Sequence, residues 1–314
     1  MTEFSRGEFL KMLIAGVPGI LFPTILNASP FPKGNKYPVT IFSKHLQWLN
    51  YKDMAALAKK MGFDGVDLTV RPGGHVLPEN AEKDLPRAVN AIHDKGIKVY
   101  SITTNITDPD DILSTRIIST ASELGIKYYR MGWFKYKDAT NVENKLVHIR
   151  SAFQKLEELN RKYNIHGAYQ NHAGNYFGAG CFDLWYLLKD LDPAYIGCQY
   201  DIRHATVERP ESWPVSLELL APYIKTIDIK DFKWKLTGEK PRAINTPLGE
   251  GVVDFDRFFS LLKKFNIEAV SSLHIEYDAG GSEHGSEKLS ISKEEFVQLV
   301  KKDLGYLNNL VKIL

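Results

Sequence analysis

From Val39 onward, short apolar runs alternate with longer stretches whose apolar positions recur every three or four residues. The short runs, at 39–42, 65–69, 98–102, 128–131, 166–169, 196–200, 224–229 and 269–275, read as strands. Helical periodicity fills the intervals. In 51–61 it puts Met54, Leu57, Ala58 and Met61 on one face, and in 141–163 it aligns Leu146, Ile149, Phe153, Leu156 and Leu159. Further helices are expected at 84–95, 182–188, 212–220, 254–265 and 293–313. Another, over 108–124, would be opened by Asp108-Pro109 in cap-then-proline order. Strand and helix alternating in this way predict a single right-handed (β/α)8 barrel over 38–314. An open, doubly wound sheet is the alternative. Against it, no glycine fingerprint follows the first strand, where a nucleotide-binding sheet needs one.

The N-terminus breaks this pattern. Residues 1–29 hold Ser5-Arg-Gly-Glu-Phe-Leu-Lys11, an apolar run interrupted by Gly16, Pro18, Gly19 and Pro23, and the small residues Asn27-Ala-Ser29. The run is too short and too broken for a membrane span, so an export signal is expected. It resembles a twin-arginine signal with Gly7 at the second arginine, which implies a periplasmic protein. Residues 30–37 read as a proline-containing linker. The 314-residue chain, 44% hydrophobic and 25% charged, has the length and balance of one barrel with extensions. With 40 basic and 38 acidic residues and no basic stripe, it is not expected to bind nucleic acid. Cys181 and Cys198 form no CxxC and are expected as buried free thiols.

Chemistry gathers at strand ends. The fifth to eighth strands run into Gln170, Asp201, Asp228 and Glu276, and alternation puts each on the inner face. Three carboxylates and an amide oxygen make an oxygen-rich cage suited to Mn²⁺, Mg²⁺ or Co²⁺ sooner than Zn²⁺. The bland alternative is ion pairing with Lys230 or Arg203. His172 and His204 lie just beyond the fifth and sixth strands, where either can pass a proton near neutral pH. His75 in its glycine-rich loop, Arg203, Lys230 and Trp234 are candidate substrate contacts, Trp234 as a stacking face for a sugar. His274 sits one layer below Glu276 as a supporting residue.

Six motifs carry a resemblance: Gly65-Val-Asp-Leu, Gln170-Asn-His-Ala-Gly174, Asp201-Ile-Arg-His204, Ile229-Lys-Asp231, Pro247-Leu-Gly-Glu-Gly-Val-Val-Asp254 and His274-Ile-Glu-Tyr277. Over about 38–312 the chain resembles the xylose isomerase-like barrels, the sugar phosphate isomerase/epimerase group. The resemblance implies a divalent ion on Gln170, Asp201, Asp228 and Glu276, with Gln170 standing where a Glu is usual and Asp228 where a His is usual. It also implies an isomerase or epimerase that abstracts a proton next to a sugar carbonyl. Glu276 would be the catalytic carboxylate, with His172 and His204 as its partners. Because Gln170 cannot accept a proton from carbon, a symmetric two-glutamate relay is not expected. Two alternatives follow: a lyase eliminating from a keto-sugar or 3-keto-glycoside, and a non-catalytic carbohydrate-binding barrel. The partner expected is a small carbohydrate; an oligomer is compatible with all three readings.

Overall fold

The computed structural model describes residues 37–136 and 141–312; the leader and linker expected at 1–37 lie outside them except for Tyr37. Ten strands occur among the described residues: β1 (Val39–Phe42), β2 (Gly65–Thr69), β3 (Lys98–Thr103), β4 (Tyr128–Arg130), β5 (His166–Gln170), β6 (Ile196–Asp201), β7 (Ile224–Ile229), β8 (Asp231–Thr237), β9 (Lys240–Thr246) and β10 (Val270–Leu273). All but β8 and β9 pair in parallel and close into a barrel in the order β1-β10-β7-β6-β5-β4-β3-β2. The eight-stranded closed barrel expected from the alternation is therefore present, and the open sheet is not. The helices are α1 (Tyr51–Met61), α2 (Ala81–His93), α3 (Ile112–Glu123), α4 (Val142–Tyr163), α5 (Phe182–Leu188), α6 (Ile202–Glu208), α7 (Trp213–Leu220), α8 (Phe255–Lys264) and α9 (Lys293–Lys312). None among the described residues is long and apolar enough to cross a membrane.

Local chemistry explains the boundaries. Asn50 caps α1 by accepting from the Asp53 amide (3.0 Å), and Gly62 ends it in the left-handed region at φ 106°. The Met54, Leu57, Ala58 and Met61 face is buried as the periodicity demands. Two starts differ from the sequence reading. Asp108 makes a local turn with the Asp110 amide, and Asp111, accepting from Leu113, caps α3 instead. At the end of β6, Asp201 caps α6 through the His204 amide (3.0 Å). Alternation therefore stops at Asp201, and the Asp-x-x-His spacing is that of a helix cap and its third residue. The hairpin β8–β9 was not expected. Its antiparallel ladder carries Asn245 back over the barrel mouth, where Asn245 Nδ2 donates to the Glu276 carbonyl.

Several family-like motifs prove to be scaffolding. Asn171 exchanges two hydrogen bonds with the Asp201 backbone (2.7 and 3.0 Å), fixing the ends of β5 and β6 side by side. Asp231 accepts from the amides of Phe232, Gly249, Gly251 and Val253, which folds the 247–254 segment onto it. A Cβ on Gly251 would sit 2.1 Å from Asp231 Oδ1, so only glycine fits. Apolar residues fill the space between strands and helices, while the barrel interior is polar. There Thr103 and Ser272 donate to Asp67, and Gln199 donates to Asp228 (2.7 Å). This satisfied network is the floor of the site above it.

Candidate active site

The strand ends converge as expected. Register places Asp201 beside Asp228, and the Gln170 amide nitrogen donates to Asp201 Oδ2 (2.8 Å) and Asp228 Oδ2 (2.5 Å). The Gln170 oxygen turns the other way and accepts from Arg130 Nη1 at 2.9 Å. A glutamate at 170 would press a further acid against two buried aspartates; the glutamine brings a donor instead. Lys230 Nζ lies 3.0 Å from Asp201 Oδ2 and 3.1 Å from His204 Nε2. Glu276 pairs with Lys44 Nζ at 3.1 Å. His274 sits between Asp228 (3.2 Å) and Glu276 (3.4 Å) in close charge contacts rather than aligned hydrogen bonds.

These contacts set the charges. Burial opposes ionisation of Glu276, but His274, Lys230 and Lys44 outweigh it and hold the carboxyl well below the usual range. Burial also opposes a charged His274, yet the Asp228 and Glu276 carboxylates raise its pKa. Burial and the charge of Lys230 keep His204 far below an ordinary histidine, and the same two causes lower His172 to about 4. Both rings are therefore neutral imidazoles at pH 7. They pack at a tilt of 37° with centroids 4.0 Å apart. The His172 Nδ1 nitrogen bonds the Ala173 carbonyl (2.9 Å), which assigns the proton to that nitrogen and leaves Nε2 as a lone-pair acceptor.

One cavity of about 440 Å³ at the barrel mouth is walled by Gln170, His172, Arg203, His204, Lys230 and Glu276, together with Lys44, Arg71, Arg130 and His274. Asp201 and Asp228 lie beneath it, fully buried. Two expected contacts are elsewhere. His75 packs into its loop, taking the Thr69 hydroxyl and the Leu46 carbonyl as partners, and does not line the cavity. Trp234 stands on the hairpin, 46% exposed and edge-on to Phe232, outside the cavity wall. Lys44, Arg71, Arg130 and Asn245 enter the wall without having been assigned a role from sequence. Arg71 and Arg130 did give a signal, since each follows or ends a strand on the face that alternation turns inward. As metal donors, Asp67, Asp228 and His274 each offer one atom, all within 4.8 Å of one another. This buried oxygen–nitrogen cluster overlaps the expected cage only at Asp228.

A family model described as xylose isomerase-like TIM barrel matches residues 55–296. No curated protein matches the chain by sequence. Among solved structures, a 3-keto-D-glucoside 4-epimerase from E. coli aligns at 15% identity over 87% of this chain and 99% of its own, with a TM-score of 0.64. The D-psicose 3-epimerase of Clostridium cellulolyticum H10, solved with D-tagatose, aligns at 12% identity over 87% and 99%, with a TM-score of 0.67. A xylose isomerase-like barrel from Mycobacterium smegmatis in complex with magnesium aligns at 13% identity over 88% and 96%, with a TM-score of 0.62. With more than half of its length matched by the family model, and with a barrel closed in the same way, the chain belongs to the xylose isomerase-like TIM barrel family.

Proposed function

We propose that the protein is a sugar isomerase or epimerase that removes a proton from the carbon next to a carbonyl. The observation that carries this reading is the neutral His172 with a free Nε2, in one cavity wall with Lys230, Arg130 and Glu276. A base and several fixed positive charges are what abstraction of such a proton requires, because negative charge develops on the carbonyl oxygen. His172 takes the proton and, as imidazolium, returns it to the adjacent carbon in an isomerisation; in an epimerisation a proton from solvent enters at the opposite face of the same carbon. Lys230 faces the oxygen that gains charge. Glu276, held ionised by Lys44 and His274, accepts hydrogen bonds from sugar hydroxyls and orients them. His204, packed against His172 and held at its two nitrogens by Lys230 (3.1 Å) and Arg203 (3.3 Å), positions the His172 ring.

A divalent ion belongs to this proposal, with Asp228, Asp67 and a deprotonated His274 as the residues that would hold it, Lys230 and Lys44 then keeping Glu276 ionised. The aspartate oxygens favour manganese, magnesium or cobalt over zinc. When bound, it would supply polarisation of substrate oxygens. The likeness to sugar epimerases supports a small carbohydrate as substrate, and the leader-like residues 1–29 support export to the periplasm. The expected result with a panel of ketohexoses and 3-keto-glycosides, followed by NMR with manganese present, is a new epimer or aldose–ketose isomer. Release of an aglycone with a new enone absorbance would favour elimination instead. Binding without turnover over the whole panel would favour a carbohydrate-binding barrel.

A further inference from the structure

Three guanidinium groups face the barrel mouth without a carboxylate partner. Arg71, Arg130 and Arg203 all line the inner cavity, and none makes an ion pair with an acid among the described residues. Arg130 is buried, and its Nε and Nη2 have no hydrogen-bond partner; the buried Nε of Arg203 has none either. Their neighbours are aromatic faces: Arg130 over Trp133 at 4.5 Å, Arg203 over Phe232 at 5.1 Å and Arg71 over Phe42 at 5.4 Å. Such stacking holds the planar groups in place while leaving their donors to point at a ligand. A second cavity of about 550 Å³ shares Lys44, Arg71 and Trp133 with the first and adds Lys135 and His284, with no acidic residue in its wall. Together the two have room for more than one sugar ring.

We infer that the barrel mouth binds sugars carrying a fixed negative charge, either a carboxylate or a sulfate ester, held by Arg71, Arg130 and Arg203. The buried Arg130 and the half-buried Arg71 and Arg203 feel the site's carboxylates only from beyond ion-pair distance, and a charge-assisted, bidentate contact from an anionic sugar would satisfy their open donors. Burial, and after it the nearby Arg130, lower the Arg71 pKa to about 10 against the opposing pull of Asp67 and Glu276. The inference rests on the sugar-binding reading above for its choice of ligand, but it concerns binding and not turnover.

Equilibrium titration of the full-length protein tests it with methyl β-D-glucuronide and glucose 6-sulfate against methyl β-D-glucoside and glucose. At least one anionic sugar is expected to bind about 10- to 100-fold tighter than its neutral counterpart, the worth of one charge-assisted hydrogen bond. The gap should narrow as salt rises. Preference for the glucuronide alone identifies a carboxylate, and preference for the ester a sulfate; both support the inference. Arg71→Gln and, separately, Arg203→Gln should each lose most of the preference, the second serving if the first does not fold. Equal binding of neutral and anionic sugars, or a preference unchanged in both variants, would overturn it. If anionic sugars bind selectively yet no proton exchange occurs, the catalytic proposal fails and the anion site stands.

Discussion

Substituting His172 with alanine is expected to lower kcat by about 10²- to 10⁴-fold, the usual contribution of a positioned general base. The expectation follows from three local facts. The ring is neutral at pH 7 because burial and Lys230 suppress its protonation. Its Nδ1 is tied to the adjacent Ala173 carbonyl, so the free lone pair is on Nε2. It also lines the same cavity as Glu276 and Lys230. The change should fall on kcat with KM altered little, because the ring acts on the proton rather than on ground-state binding. Trp133 and Tyr176 flank the ring at centroid distances of 4.9 and 4.5 Å, so alanine leaves a pocket between aromatic side chains without stranding a charge. The fold should therefore survive. Steady-state kinetics together with a thermal melt would check both halves, and an alanine variant with near-normal kcat would remove His172 from the chemistry.

Asp201→Ala is expected to destabilise the protein by about 3–5 kcal/mol, the range for removing one partner of a buried ion pair. Asp201 is wholly buried and Lys230 nearly so, with side-chain exposures of 0% and 8%. Alanine would leave the Lys230 ammonium in a cavity wall already holding Arg130 and Arg203, and would strip the Gln170 amide of one acceptor. It would also remove the cap of α6, a further loss of about 1 kcal/mol. Asp201→Asn can keep the cap and one hydrogen bond, so its stability should fall between the two. Denaturant midpoints of the three proteins give the order directly. An alanine variant as stable as the parent would mean that Lys230 does not depend on Asp201 for its compensation.

The barrel was legible because its strands are short apolar runs spaced by amphipathic helices, and that periodicity survives without any tertiary information. The inward ends of the fifth to eighth strands were legible for the same reason: alternation predicts which side chain faces in. What the pattern could not show is what each polar end does once inside. Asp201 read as part of the cage and His204 as a proton carrier, and their three-residue spacing was not seen to make a helix cap as well. Gln170 read as an oxygen donor, whereas its orientation is decided by Arg130 on the neighbouring strand, 40 residues away. The hairpin β8–β9 escaped notice because its strands are largely exposed and polar, with no buried face to impose alternation. His75 was singled out in a glycine-rich loop and Trp234 as an aromatic beyond the seventh strand, and packing took one into its loop and the other out to solvent. Arg71, Arg130 and Lys44 come from the first half of the barrel, and only closure brings them opposite Glu276 and Arg203.

Solvent-deuterium incorporation tests the central claim most directly. The manganese-supplemented protein would be incubated in D₂O with a turned-over ketohexose or 3-keto-glycoside, and the recovered substrate and product examined by NMR and mass spectrometry. Proton abstraction next to the carbonyl predicts one deuterium at that carbon in an epimer, or at the adjacent carbon in an isomer, with the carbon skeleton unchanged, and its loss in His172→Ala. Product formed with no deuterium at either carbon, together with no primary isotope effect on kcat for substrate deuterated at the first, would contradict the mechanism.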